Sequence, residues 1–284
     1  MIGVNLASAA GVREVVSRYG LQAKKKLGQH FLVDGHVLGK IVAAADIGAD
    51  DLVVEIGPGI GGMTQALLEA AGHVLAVELD KQLVPILEGM FAGKAFTVVQ
   101  GDILRLDLAV AIAALGLGDV KIKVVANLPY YITTPVIFHL LESGLPFESI
   151  TVMIQKEVAQ RMSATPANKD YGSLTLAVQY HADVELVANV PTNCFMPRPA
   201  VDSAVVKLKL LPTPRVDADK ERLFKIIHAA FGKRRKTLLN ALDSEGIGGG
   251  KAALAATLEE CGINPQARGE TLDIYQFAKL AEKL

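Results

Sequence analysis

The sequence predicts an α/β fold built on a mostly parallel sheet, followed by a small all-helical domain. Three observations lead there. Short apolar runs of strand length alternate with segments of helical period between residues 52 and 163. Strands alternating with helices imply parallel pairing with both sheet faces covered. A glycine-rich turn, Gly57-Pro58-Gly59-Ile60-Gly61-Gly62, directly follows the first of those runs. Past Pro212 and Pro214 the strand pattern stops and every periodic segment is helical.

Taken in order, residues 1–35 are mixed, with a short helix expected around Val12–Tyr19. Lys24-Lys25-Lys26-Leu27-Gly28-Gln29-His30-Phe31-Leu32 then interrupts with charge and glycine, and helical spacing returns through Val37, Leu38, Ile41, Val42 and Ala45. Leu52–Ile56 reads as a buried strand, Met63–Ala71 as a helix, Val74–Leu79 as a second strand and Lys81–Phe91 as a second helix. Phe96–Val99 and Ile122–Ala126 continue the strand series. Pro135–Glu142 is expected as a helix, Ile150–Ile154 as a strand and Glu157–Ser163 as a helix. Val184–Val190 and Ser203–Leu210 have no clear helix between them and are expected to close the sheet as an antiparallel pair. Lys220–Ala230, Lys236–Leu242, Ala252–Cys261 and Ile274–Leu284 form the helical tail, broken by Gly246–Gly250. The expected domains are residues 1–211, with residues 1–35 as a distinct N-terminal segment, and residues 212–284.

Composition narrows the function. The chain has 284 residues, 51% hydrophobic and 21% charged, so a packed core is feasible. A net charge of −1 excludes a globally basic nucleic-acid binder, so any such footprint is a local patch. The two cysteines, Cys194 and Cys261, show no CxxC and no ligand spacing with histidine, so neither a disulfide framework nor a metal site is expected. No basic leader with a long apolar run and no apolar stretch of membrane-spanning length is present, so a cytoplasmic location is expected. There is no coiled-coil seam, and a monomer is expected.

Glycine lets a backbone approach a nucleotide closely, and doubly wound folds bind nucleotides at the turn after their first strand. Gly57, Gly59 and Gly62 satisfy the GxGxxG spacing, and Glu78 lies 21 residues beyond Gly57 at the end of the second strand, where an acid binds ribose hydroxyls. Two details favour S-adenosylmethionine over a dinucleotide. Glu55, just ahead of the turn, suits a sulfonium ligand with its ammonium group and would repel a pyrophosphate. Gly101-Asp102 follows the third strand, where an acceptor can take an adenine amine.

Asn127-Leu128-Pro129-Tyr130 follows the fourth strand. This constellation suits a planar base that carries an exocyclic amine. The Asn127 oxygen and a backbone carbonyl such as that of Leu128 accept from the amine, Pro129 stiffens the chain, and Tyr130 offers a stacking face, with Phe195 as a candidate for the other. Lys24, Lys25 and Lys26 form one basic cluster and Lys233, Arg234, Arg235 and Lys236 another. Two like-signed runs in a nearly neutral chain point to phosphate contact, with Arg198 between two prolines as a further candidate.

The segments Lys26–Leu32, Glu55–Gly61, Gly101-Asp102, Asn127–Tyr131, Gln155–Ala159, Phe195–Ser203 and Phe231–Lys236 resemble the rRNA adenine N6-dimethyltransferases in order and spacing, from about residue 20 to beyond 240. Within that family the chain looks most like the bacterial small-subunit branch associated with kasugamycin sensitivity. The resemblance implies a Rossmann-like, S-adenosylmethionine-dependent methyltransferase domain with a helical RNA-binding domain. It implies cofactor contacts at His30, Leu32, Gly57, Glu78, Asp102 and Asn127, with His30 where the family commonly has Asn. It also implies a substrate, two adjacent adenosines in a hairpin loop near the 3′ end of small-subunit rRNA, each dimethylated at N6. The small ribosomal subunit is the implied partner.

Four other readings compete. A ribosome-assembly factor acting mainly by binding would not need the Asn127–Tyr130 motif. A large-subunit adenine methyltransferase shares the first domain, but the Pro-Arg-Pro segment and the helical tail fit the small-subunit branch better. A DNA adenine methyltransferase typically has an acid where Asn127 stands. A nicotinamide-linked dehydrogenase is opposed by Glu55.

Overall fold

The computed structural model describes residues 4–233 and 235–284. Arg234 and the side chain of Lys25 lie outside the described residues. Two compact units form: one runs up to Ala159 and adds Glu185–Leu210, and the other takes Gln160–Val184 and Leu211–Leu284.

The first unit opens with helix α1 (Ala9–Arg18), a short strand β1 (Phe31–Leu32) and helix α2 (Gly35–Ala45). Asp34 caps α2 by accepting from the His36 and Val37 amides at 2.9 and 3.1 Å. The alternating series follows as β2 (Leu52–Ile56), α3 (Gly62–Ala70), β3 (His73–Glu78), α4 (Val84–Met90), β4 (Phe96–Gln100), α5 (Leu108–Ala113), β5 (Ile122–Asn127), α6 (Thr133–Leu141) and β6 (Phe147–Gln155). Helices α7 (Lys156–Met162) and α8 (Ser173–His181) precede β7 (Ala182–Val190), β8 (Phe195–Met196) and β9 (Ser203–Leu210).

The main sheet has the order β4-β3-β2-β5-β6-β9-β7. β2 pairs in parallel with β3 and β5, β3 with β4, and β5 with β6, whereas β9 runs antiparallel to β6. The two late strands therefore close the sheet as neighbours, with β9 inserted inside β7. Every residue of central β2 is buried because both faces are covered, while edge strand β4 is half-buried. Ile41, Ala45, Val53, Leu67, Val125 and Met153 form one apolar cluster, and Val12, Val15, Ile60, Leu87 and Phe91 another. Each of the larger side chains, Ala45 aside, contributes about 1.5–3 kcal/mol on burial.

At the N-terminal ends of β2 and β5, the buried Lys123 ammonium meets Asp51 at 2.8 Å and the Asp46 carbonyl. Polar structural contacts thus hold the end of the sheet away from the strand ends where ligands bind in such folds.

The second unit adds α9 (Lys220–Gly232), α10 (Leu238–Asp243), α11 (Lys251–Glu260) and α12 (Ile274–Lys283). Ala164, Tyr171, Leu176 and Tyr180 pack there with Leu223, Ile227, Leu254 and Phe277. The Tyr171 hydroxyl donates to the Leu272 carbonyl at 2.8 Å, and Arg215 donates to the Gln179 carbonyl at 2.7 Å. The boundary expected at residue 212 assigns α8 to the first domain, whereas α8 falls in the helical unit, and its Leu176 and Tyr180 pack in that unit's core.

Helices α5 and α8 have no counterpart in the sequence reading, for a common reason. Leu108–Ala113 is apolar at every position, and α8 buries Leu174, Thr175, Leu176, Val178 and Tyr180, so neither shows one polar face.

Candidate active site

The carboxyl ends of β2, β3, β4 and β5 open into one pocket. Glu55, Gly57, Gly59, Glu78, Asp102, Asn127, Leu128, Pro129 and Tyr130 line it, joined by His30 and Leu32 from the N-terminal segment. The fold thus gathers side chains spread over 100 residues of sequence, because successive parallel strands end on the same edge.

Backbone geometry makes the glycine turn specific. Gly57 and Gly59 have φ of +69° and +59°, a region that disfavours any residue with a Cβ. A Cβ on Gly59 would lie 3.1 Å from the Phe31 ring, whereas one on Gly57 would meet nothing within 4 Å. The space before Gly57 is therefore an open cradle against bare backbone. Glu78 braces the turn: its Oε2 accepts from the Gly59 amide at 3.1 Å and its Oε1 from the Asp80 amide at 2.7 Å. Burial pushes the Glu78 carboxyl up from its ordinary value, and these backbone donors offset part of the shift.

Glu55 is 0% exposed. Its Oε2 accepts from the Thr64 hydroxyl at 2.6 Å, while its Oε1 has no hydrogen-bond partner. Burial pushes the carboxyl up to about 8, and the neighbouring Glu78 charge adds to the rise. The sequence reading gave Glu55 a standing negative charge. In the ligand-free protein it instead holds its proton at neutral pH, because desolvation outweighs the single hydrogen bond. A carboxyl oxygen left without a partner on the wall of a pocket calls for one from the ligand, and a cationic donor there would draw the proton off. Asp102, partly exposed at the end of β4, accepts from the Leu104 amide at 3.1 Å through Oδ1.

The base-clamp motif is held from several sides. The Asn127 Nδ2 donates to the His30 carbonyl at 2.9 Å, so Oδ1 is the end left to accept. The Leu128 amide donates to the Met153 carbonyl at 3.1 Å, tying the motif to β6. The Pro129 carbonyl accepts from the Thr133 hydroxyl at 3.2 Å, so the proline leads into α6. The Tyr130 hydroxyl meets the Ser203 hydroxyl at 2.7 Å. Burial raises its phenol above the usual range. The His30 ring stacks on Tyr130 with centroids 5.9 Å apart and planes at 24°, and its Nδ1 donates to the Pro197 carbonyl at 2.8 Å.

Phe195 does not join this group. It is 3% exposed, pairs with Leu32 in the β1–β8 ladder and packs with the Ile41 cluster. The ladder turns its ring into the core, so it does not face the pocket as expected. The pocket wall also includes Tyr131, which is 57% exposed, and Gln29. Both stand in motif segments of the sequence, but neither is among the expected site residues. The signal was Gly28, at φ +61°, where a Cβ would lie 3.3 Å from Pro129 and 3.6 Å from Tyr131.

Among the basic candidates, Lys26, Arg198, Arg235 and Lys236 are exposed. Lys24 is committed to Asp80 at 2.7 Å, and Lys233 to Glu245 at 3.2 Å and the Ser244 hydroxyl at 2.8 Å.

A parallel sheet with one antiparallel strand inserted at its end, and acidic groups at successive strand ends around a glycine turn, defines the Rossmann-like methyltransferases. Solved structures share this fold. A dimethyladenosine transferase from Plasmodium falciparum aligns with a TM-score of 0.75 and 26% identity, over 89% of this chain and 96% of that one. A 23S rRNA methyltransferase aligns with a TM-score of 0.69 and 25% identity, over 89% and 98%. The chain belongs to the ribosomal RNA adenine dimethylase family, whose sequence model matches residues 20–284. It is 52% identical over 273 residues to the ribosomal RNA small subunit methyltransferase A of Lachnoclostridium phytofermentans, covering 95% of this chain and 94% of the relative. It is 45% identical over 281 residues to the protein of that name from Alkaliphilus oremlandii, covering 98% of each. The protein is a methyltransferase enzyme of this family. Among the described residues no helix is long and apolar enough to cross a membrane.

Proposed function

We propose that the enzyme transfers methyl groups from S-adenosylmethionine to N6 of two adjacent adenosines in a hairpin loop near the 3′ end of small-subunit rRNA. The observation that carries this reading is the Asn127 amide, fixed by the His30 carbonyl with its acceptor end left for a substrate amine. The family membership and the small-subunit names of the 45–52% identical relatives support small- over large-subunit rRNA.

S-adenosylmethionine supplies a methyl group on a positively charged sulfur. The residues fit it: the Gly57 cradle accepts close approach, Glu78 addresses ribose hydroxyls, Asp102 the adenine amine, and the orphaned Glu55 oxygen a donor such as the ammonium group. His30 and Leu32 line the same pocket.

The target amine is a poor nucleophile because its lone pair is delocalised into the ring. Asn127 Oδ1 and the Leu128 carbonyl accept hydrogen bonds from its two N–H groups and draw the nitrogen toward tetrahedral geometry. Tyr130 and the exposed Tyr131 offer ring faces for the base, which leaves its stack more readily from a loop than from a duplex. As the N–C bond forms, the S–C bond of the donor would break and leave a neutral thioether; the nitrogen becomes positive and then loses a proton to water, so no strong base is needed. Positioning and electrostatic complementarity supply the catalysis.

Lys26, Arg198, Arg235 and Lys236 provide phosphate contacts. The first unit is the catalytic domain and the helical unit carries RNA contacts. The protein works as a cytoplasmic monomer on the small subunit. The test is incubation with labelled S-adenosylmethionine and unmethylated small or large subunits, followed by mapping of the modified base. Label at adjacent small-subunit adenosines is expected. Label confined to the large subunit overturns the proposal.

A further inference from the structure

The segment Lys24–Leu32 lines the pocket through Leu27, Gly28, Gln29 and His30, and it is fastened at both ends. At one end the His30 carbonyl receives Asn127, and Gly28 sits against Pro129. At the other, the Lys24 ammonium meets Asp80 Oδ1 at 2.7 Å. Gln29 closes a ring: its Oε1 accepts from the Lys24 amide at 2.8 Å and its Nε2 points to Asp80 Oδ2 at 3.5 Å. Asp80 in turn donates its amide to Glu78 Oε1 at 2.7 Å. A continuous hydrogen-bonded path therefore runs from Lys24 through Asp80 to the acid that addresses the cofactor.

We propose that the Lys24–Asp80 pair is a latch that holds the N-terminal segment against the cofactor pocket, making Lys24 a positioning residue for cofactor binding and not a phosphate contact. The inference rests on the reading of this pocket as the S-adenosylmethionine site.

Burial decides the role of the pair. Exposed ion pairs hold little, but the Asp80 side chain is only 5% exposed while that of Lys24 is 39% exposed. Burial pushes the Asp80 carboxyl up, yet the hydrogen bonds from Lys24 and the Gln82 amide outweigh it and keep the carboxyl below its ordinary value. Removing the ammonium leaves a buried carboxylate with neutral donors only, an arrangement disfavoured enough to release the segment. Turning Lys24 toward a phosphate would impose the same loss.

Calorimetric binding of S-adenosylmethionine tests this, with RNA affinity measured against salt in parallel. Lys24→Met should raise the cofactor Kd about ten-fold, the size of one lost charge-assisted hydrogen bond. The slope of RNA affinity against salt should stay unchanged, and Lys24→Arg should restore most of the cofactor affinity. Asp80→Asn, which keeps the cap on the Gln82 amide, should weaken cofactor binding similarly, and the double variant should be no worse than either single one. A Lys24→Met variant with wild-type cofactor affinity, or a flattened salt slope at unchanged cofactor affinity, overturns the latch. A wild-type protein that takes up no S-adenosylmethionine overturns the functional reading beneath it, so the two failures are distinct.

Discussion

Replacing Asn127 with alanine removes two interactions of unequal size. The bond from Nδ2 to the His30 carbonyl, at 2.9 Å, is a partly buried neutral contact contributing about 1 kcal/mol to stability. Its loss should lower Tm by about 2–4 °C in a chain of this length. The acceptor Oδ1 is held in place before the substrate arrives, and removing one preorganised partner of a developing charge costs about 3–4 kcal/mol in the transition state. The expected result is a 10²–10³-fold slower methyl transfer, roughly, with near-native folding. Single-turnover methylation of unmethylated small subunits at saturating cofactor reads the chemical step directly, and RNA affinity measured alongside should change little. Asn127→Asp separates the two contributions. It keeps an acceptor oxygen but sets a carboxylate against the His30 carbonyl, so it should lose more stability than the alanine variant. A methylation rate within a few-fold of wild type for Asn127→Ala would refute the assignment of the amide to the reacting amine.

Three further outcomes are expected. The Glu55 carboxyl rises from 4.5 to about 8 on folding, so the folded protein keeps a proton that the unfolded chain gives up between those values. Stability without cofactor should therefore fall as pH rises from 4.5 to 8 and level off above. Glu55→Gln should flatten that part of a Tm–pH profile, and an unchanged slope would place the proton elsewhere. Gly59→Ala forces a side chain into φ +59° and within 3.1 Å of the Phe31 ring, so it should destabilise by about 1 kcal/mol or more and abolish tight cofactor binding in calorimetry. Neutralising Arg235 and Lys236 together should reduce the slope of log affinity against log salt by about 1.4–1.8, one phosphate apiece. Lys233→Ala should do less, because Lys233 already pairs with Glu245.

Much of this protein is written locally in its sequence. The alternation of apolar runs with helical spacing determines the parallel sheet, since a strand buried on both faces must be apolar throughout, as Leu52–Ile56 nearly is. The glycines at 57 and 59 announce a backbone that no other residue tolerates comfortably, and Glu78, Asp102 and Asn127 follow from strand ends that all reach one edge. What escaped is what depends on partners distant along the chain. Phe195 looks like a base-stacking aromatic beside Pro197 and Arg198, but its pairing with Leu32 across the β1–β8 ladder buries it. Lys24 looks like part of a basic cluster until Asp80 meets it. Helix α8 is hidden in the sequence because its buried side chains share no single face, and packing of Leu176 and Tyr180 places it in the helical unit. Glu55 reads as a negative charge, and only the depth at which the sheet holds it decides that it keeps a proton. Residue identity specifies chemistry and local backbone preference. Burial and pairing set whether that chemistry is charged, exposed or already spent, and those are properties of the packed chain alone.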